Sequence, residues 1–316
     1  MVEEDGGIEG GGGKNEGIGV GGIRACLRWE AGSRPPNKLQ ARGHSSEREM
    51  DGWRGMELAV VMCAKCLEEL DLSMNPLGDG VSESLSCLLS RCPLLAKLSL
   101  QACGLTARFL QQHRLLLASA LAGTGHLKSV CLSHNALGST GFELVLKTLP
   151  LHSLTHLDLS AVRKGPADYP PLEHFTSVLS QDECSLTYLS LAANGLTDSS
   201  VATLARCLPS CPTLVSLNLS GNPSVTSAGL HNILMSLREA GRPLTLLNLQ
   251  GCQVSGPWDS ACLDGLSELV QDLRLCSQGL NKLDRQALKQ SWDSSRSHGH
   301  FIDRKSKCLL SALAAS

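Results

Sequence analysis

The chain has 316 residues, a formal net charge of −2 and an aromatic content of only 3%. No run approaches the roughly 20 apolar residues that a bilayer-spanning helix needs, so membrane partners are not expected. Residues 57–291 hold 16 Lys/Arg against 19 Asp/Glu. The local basic excess that neutralises phosphates is missing, so no direct nucleic-acid partner is expected from this segment.

Ten of the first 22 residues are glycine, and apolar residues across 1–56 are too sparse to offset the entropy of ordering. Disorder is predicted there. Gly10-Gly11-Gly12-Gly13-Lys14 has no apolar strand before it and no Ser/Thr after the lysine, so it is not read as a phosphate loop. The opening Met1-Val2-Glu3-Glu4-Asp5 has no apolar core of a secretory signal. Most of the 14 cysteines fall where neighbouring copies of the pattern below place Leu or Asn. They read as buried, reduced thiols of a nuclear or cytosolic protein.

From Leu67 onward the pattern L-x-x-L-x-L-x-x-N/C-x-L recurs. Its copies are Leu67-Leu70-Leu72-Asn75-Leu77, Leu95-Leu98-Leu100-Cys103-Leu105, Leu127-Val130-Leu132-Asn135-Leu137, and Leu154-Leu157-Leu159 with Val162 at the Asn position. They continue with Leu186-Leu189-Leu191-Asn194-Leu196, Leu214-Leu217-Leu219-Asn222-Val225, Leu244-Leu247-Leu249-Cys252-Val254 and a worn copy, Val270-Leu273-Leu275-Gln278-Leu280. The steps between first positions are 28, 32, 27, 32, 28, 30 and 26 residues.

Within each copy the fourth and sixth positions alternate with polar residues, the period of a half-buried strand. The ninth-position Asn or Cys turns the chain and satisfies backbone groups of the bend. Apolar residues at helical spacing follow, as in 198–208, where Asp198 is expected as the N-cap. Pro93 and Pro212 help to end such helices. The expected fold is an α/β leucine-rich-repeat horseshoe solenoid of the ribonuclease-inhibitor-like type, with parallel strands on the concave side and helices on the convex side. It is predicted to span 57–291 in about eight repeats and to start mid-repeat, leaving an apolar edge uncovered. At Val162 and the insertion 163–171 a local loop or kink is expected. Residues 292–316 turn polar and read as a flexible tail.

Catalytic and metal chemistry find no motif. Cys63-Ala64-Lys65-Cys66 lacks the second ligand pair of a structural zinc. Cys207 and Cys211 share a helical face and read as packing residues. The 10 histidines have no partnered nucleophile or carboxylate in a common motif. No enzyme activity and no cofactor are expected. Function is instead expected on the inner sheet face, from the third, fifth and seventh positions of each copy. The partner-binding candidates are Glu69, Asp71, Lys97, Gln101, His156, Asp158, Tyr188, Asn218, Leu246, Asn248 and Arg274. Tyr188 and Leu246 are the apolar anchors. Asn218, Asn248 and Gln101 are the hydrogen-bonders, and Asp71, Asp158 and Arg274 steer by charge.

Several stretches are more idiosyncratic than the general repeat. Among them are Leu70-Asp71-Leu72-Ser73-Met74-Asn75-Pro76-Leu77-Gly78-Asp79-Gly80, Cys92-Pro93-Leu94-Leu95, Leu98-Ser99-Leu100-Gln101-Ala102-Cys103-Gly104, Cys211-Pro212-Thr213-Leu214-Val215-Ser216-Leu217-Asn218-Leu219-Ser220 and Leu273-Arg274-Leu275-Cys276-Ser277. With Val162 in place of the turn Asn, they resemble the C-terminal leucine-rich repeats of the tonsoku-like family over roughly residues 66–291. That resemblance implies a nuclear scaffold in replication-fork recovery and homologous recombination, whose repeats bind a large helical DNA-repair subunit. The tetratricopeptide and ankyrin repeats of the family are absent from this chain, so histone binding is not carried over. The glycine-rich start is unlike the family and points to a fragment or alternative product. Two other readings share the helix-backed horseshoe: a GTPase-activating or inhibitor-type repeat protein, and the sensing end of an innate receptor.

Overall fold

The structure, a computed structural model, describes residues 15–20, 23–28, 38–43, 64–163, 170–180, 184–258, 260–295, 299–304 and 307–312. Its first described elements are the strands β1 (Asn15–Val20), β2 (Ile23–Arg28) and β3 (Lys38–Gly43), joined antiparallel to one another. The repeats then supply β4 (Glu69–Asp71), β5 (Lys97–Ser99), β6 (Ser129–Cys131) and β7 (His156–Asp158). They continue with β8 (Tyr188–Ser190), β9 (Ser216–Asn218), β10 (Leu244–Asn248) and β11 (Val270–Leu275). These eight run parallel with each strand paired to the next, as the leucine period requires.

Register follows from what each strand must bury. The fourth-position residues Leu70, Leu98, Val130, Leu157, Leu189, Leu217, Leu247 and Leu273 stand opposite one another down the sheet. All are buried, with Leu98 the most accessible at 3%. A slip of one residue would turn this column to water, at about 1.5–3 kcal/mol for each exposed side chain. Behind the sheet lie the helices Ser82–Leu89, Gly138–Thr148, Pro170–Leu179, Asp198–Cys207 and Ser227–Ala240, while the 32-residue second repeat carries two, Ala107–Gln112 and Arg114–Gly123.

The helix Asp198–Cys207 buries Val201, Leu204 and Ala205, one face at helical spacing. Its cap differs from the expectation. Thr197 is the N-cap, in a capping box with Ser200, and Asp198 sits in the first turn. The Asp198 carboxylate instead accepts from Thr226 N at 2.8 Å, Thr226 Oγ1 at 2.7 Å and Gly229 N at 2.9 Å. It therefore holds the N-terminus of the next repeat's helix, where a negative charge meets unpaired amides. A Cβ on Gly229 would lie 2.8 Å from that carboxylate, so a larger residue there would have to displace the Asp198 oxygen from its bonds. Asp79 makes the same link to Thr106, at 2.7 Å to N and 2.6 Å to Oγ1.

Each strand from β4 to β10 leaves the sheet through a left-handed residue at the eighth position: Met74, Ala102, His134, Ala161, Ala193, Gly221 and Gly251 have φ between 52° and 75°. The ninth-position amide then ties repeat to repeat. Asn222 Oδ1 accepts from Asn194 N at 2.9 Å and Leu196 N at 3.0 Å, and its Nδ2 donates to Leu191 O and Leu219 O. Asn135 does the same for Cys103 N, Leu105 N, Leu100 O and Leu132 O. Cys103 and Cys252 keep only half of the function, since their thiols donate to Leu72 O and Leu219 O of the preceding repeat. Val162 supplies neither half. Its backbone carbonyl accepts from Gly138 N at 2.9 Å, and Asn194 Oδ1 still accepts from Val162 N and Arg163 N. The β7–β8 pairing stays in register up to this turn, with Leu159 N and Ala161 N donating to Ser190 O and Ala192 O. Of the insertion 163–171 expected to loop or kink, residues 164–169 lie outside the described residues, and Pro170 and Pro171 open the next helix.

The two ends depart from the sequence expectation. Within the segment read as disordered, β3 pairs parallel with β4, Lys38 opposite Glu69 and Gln40 opposite Asp71, so the array's first edge carries added strands. β2 and β1 continue the sheet beyond β3, while the other residues of 1–56, and the expected domain start at 57, lie outside the described residues. At the other end, the helix Lys282–Ser295 runs past residue 291 and buries Trp292 completely. The strands β12 (Gly299–Arg304) and β13 (Lys307–Ala312) form a hairpin whose β13 adds antiparallel to β11, with Leu310 buried. The physical reason is common to both ends. The edge of an open sheet presents a row of backbone donors and acceptors that a strand can pair with through its own backbone. A polar, glycine-rich composition does not forbid that pairing.

Candidate functional site

The inner face of the sheet is lined by two columns of side chains that point away from the leucine core. The fifth-position column is largely bonded to the sheet itself. Asp71 Oδ1 accepts from Ser73 N at 3.0 Å, Asp158 Oδ1 from Ser160 N at 2.9 Å, Asn218 Oδ1 from Ser220 N at 3.1 Å, and Asn248 Oδ1 from Gln250 N at 3.1 Å. Each is an Asx-type turn that satisfies the amide two residues on, where the strand ends. Cross-strand bonds join the column: Ser73 Oγ to Ser99 Oγ at 2.7 Å, Ser160 Oγ to Ser190 Oγ at 2.7 Å, and Asn218 Nδ2 donating to Ser190 Oγ at 2.9 Å. Cys131 lies 3.7 Å from Asp158 Oδ2 and 3.2 Å from Ser133 Oγ. Burial pushes its thiol up from the ordinary value, which keeps it protonated and able to donate.

The third-position column is different. At its N-terminal end Glu69 is bracketed by Lys38 at 3.0 Å and Lys97 at 3.1 Å. These lysines, Lys38 first, hold the Glu69 carboxyl below the usual range. All three side chains are substantially solvated, so the bridges contribute little to stability. In the middle, His156 and Tyr188 stand opposite each other on β7 and β8 with ring centroids 5.7 Å apart and planes at 22°, a stacked pair. His156 is exposed and Tyr188 half-buried. Thr155 Oγ1 lies 2.9 Å from His156 Nδ1 and steadies the ring. Ser216 and Leu246 extend the column on β9 and β10, both part-exposed. At the C-terminal end Arg274 is bonded to Asp272 through Nε at 3.1 Å and Nη2 at 2.8 Å.

The structure thus divides the residues predicted for binding. His156, Tyr188 and Leu246 form the open part of the face, and Lys97 and Glu69 form an exposed ion pair at one end. Asp71, Asp158, Asn218 and Asn248 each have their Oδ1 engaged by a backbone amide, and Arg274 has an intramolecular carboxylate. Gln101 follows β5 at the turn, where its backbone carbonyl accepts from Met74 N at 2.8 Å and its amide donates to Ser73 Oγ. Sequence reasoning named His156 and Tyr188 separately and missed that they stack. The signal was available: both occupy the third position of successive repeats, which the common register places side by side. Among the described residues no group of three or more His, Cys, Asp or Glu side chains could hold a metal ion. No described helix is long and apolar enough to cross a membrane.

Comparison with known proteins agrees with this architecture. Residues 64–80, 183–205 and 210–234 match the family model described as Leucine Rich repeat. The chain is 66% identical over 251 residues, 79% of its length, to the Tonsoku-like protein of Danio rerio, and spans 18% of that protein. It is 47% identical over 224 residues, 71% of its length, to the Tonsoku-like protein of Bos taurus, spanning 16% of it. With the ribonuclease inhibitor of Mus musculus it shares 30% identity over 230 residues, covering 71% of this chain and 46% of the inhibitor.

Proposed function

We infer, from a chain whose array is a leucine-rich-repeat region of the tonsoku-like kind, that it is a non-catalytic docking module holding a protein partner on its inner sheet face. The observation that carries this reading is the stacked His156–Tyr188 pair on that face, with part-exposed Leu246 two strands further along. Aromatic side chains with one face against the protein and one face open are the residue type that dominates binding energy at protein interfaces. In the neighbouring fifth column one side-chain oxygen each of Asp71, Asp158, Asn218 and Asn248 already accepts a backbone amide, which reduces the hydrogen bonding that a partner must replace.

The 66% identity over most of this chain supports a finer reading: nuclear work in replication-fork recovery and homologous recombination, with a large helical DNA-repair subunit as the partner. The test is capture from nuclear extract with quantitative mass spectrometry, comparing three chains. The parent and a Leu115→Ser/Leu116→Ser variant on the outer helix Arg114–Gly123 should retain the same proteins. A Tyr188→Ala/Leu246→Ala variant should lose at least ten-fold of the specific partner. Loss by the outer-helix variant alone would move the site to the convex side. A captured set without DNA-repair subunits would remove the finer reading while leaving the docking face.

An inhibitor-type reading draws on the 30% identity with mouse ribonuclease inhibitor. A ribonuclease assay decides it: absence of inhibition at micromolar chain discards that reading.

A further inference from the structure

In the third-position column of the inner face, large side chains are interrupted by serines. From β5 to β10 the column reads Lys97, Ser129, His156, Tyr188, Ser216 and Leu246, each opposite the next across the sheet. Neighbouring strands lie about 4.8 Å apart. Rings on adjacent strands can therefore stack, as His156 and Tyr188 do at 5.7 Å with planes 22° apart. His156 covers the face of the Tyr188 ring on the β7 side, so the other face is directed toward β9. There the column holds only Ser216, part-exposed, and the next large side chain is Leu246 on β10. Tyr188 and Leu246 thus stand two strand spacings apart, roughly 9.6 Å, with room for one side chain between them. The result is a slot walled by a ring face and an isobutyl group and floored by a hydroxyl.

The surroundings select what can enter. Thr187, Ser190, Val215, Asn218, Thr245 and Asn248 flank the column on β8, β9 and β10, and none is charged. Their polar groups are engaged with one another and with the sheet: Thr187 Oγ1 donates to Thr155 O at 2.9 Å, and Asn218 Nδ2 to Ser190 Oγ at 2.9 Å. Beyond Leu246, Asp272 and Arg274 are joined to each other at 2.8 Å. The exposed cations of the column, Lys38 and Lys97, stand at its other end around Glu69. An ionic side chain in the slot would give up water without a counter-ion facing it. An aromatic ring would meet a ring face on one side and methyls on the other, and ring stacking adds to the area it buries.

We propose that Ser216 sets the specificity of the docking face, by leaving a slot between Tyr188 and Leu246 for one aromatic side chain of an uncharged partner segment. This inference rests on the docking reading and names what the partner brings to it. Tyr188 and Leu246 supply the walls, and the small side chain at 216 keeps the space between them open.

The test selects a phage library of random short peptides on the full chain. Each recovered peptide is then titrated against the parent, Ser216→Leu, Ser216→Ala and Ser129→Leu chains by fluorescence polarisation. Recovered peptides should share one Phe, Tyr or Trp position and should shift the Leu246 methyl signals of the parent chain upfield in NMR, as a ring face against them requires. Ser216→Leu, which fills the slot, should cost at least ten-fold in affinity, and Ser216→Ala less than two-fold. Ser129→Leu places the same side chain on the other flank of the ring pair and should also cost less than two-fold. No recovered peptide, peptides without an aromatic residue, or unmoved Leu246 methyl signals would overturn the proposal from the parent chain alone, even where Ser216→Leu does not fold. Undiminished binding to a folded Ser216→Leu chain would overturn it as well. In capture from nuclear extract, loss of the partner by Tyr188→Ala/Leu246→Ala but not by Ser216→Leu would remove the slot and keep the docking face. Retention by both would remove the docking reading itself.

Discussion

The third-position and fifth-position columns of the inner face have the same geometry in the sheet and carry opposite duties. Fifth-position Asp71, Asp158, Asn218 and Asn248 each close the end of their own strand by accepting the amide two residues on. Third-position His156, Tyr188 and Leu246 present rings and methyls that close nothing. A side chain's pointing outward from a repeat sheet therefore does not make it a contact residue. The question is whether a local backbone group already occupies it. On this array the charged and amide residues are mostly structure, and the apolar and aromatic ones are available.

The comparison can be broken by substitution. The upper limit is set inside the turn, where Asn222→Ala leaves the amides of Asn194 and Leu196 and two carbonyls without their partner. A loss of about 3 kcal/mol, from roughly 1–3 kcal/mol per stranded group with partial relaxation, is expected in urea unfolding. Asp158→Ala on the fifth column removes the acceptor of both Ser160 N and Ser160 Oγ, and about 1–3 kcal/mol should go with it. A charge reversal at Asp71 and Asp158 therefore tests stability as much as binding. In the opposite direction, Val162→Asn should raise stability by about 0.5–1.5 kcal/mol by supplying the amide that this turn lacks. Tyr188→Ala on the third column should cost no more than about 1 kcal/mol, the worth of one aromatic stack, and should lose the partner. Equal melts for Asp158→Ala and Tyr188→Ala would erase the distinction between the columns.

The core and its strands were legible because leucine spacing states the strand period directly: Leu70, Leu98, Leu157, Leu189, Leu217 and Leu247 were placed and are buried. The division between the columns was legible in part. Asp71-Leu72-Ser73, Asp158-Leu159-Ser160, Asn218-Leu219-Ser220 and Asn248-Leu249-Gln250 repeat an Asx residue two before a strand-end amide, which is the signature of a turn acceptor. The Asp198–Thr226 link was hidden, because an Asp after a Thr serves equally as a cap in one helix or an acceptor for the next. The added strands β3 and β13 were hidden for another reason: pairing at a sheet edge runs through backbone, and no side-chain period announces it.

The most direct test of the open column as the docking surface is site-specific photo-crosslinking, with a benzophenone side chain placed at 188 on the sheet or at 115 on the outer helix. A partner crosslinked from 188 and absent from 115 is the result this account predicts. Crosslinking from 115 with none from 188 would contradict it.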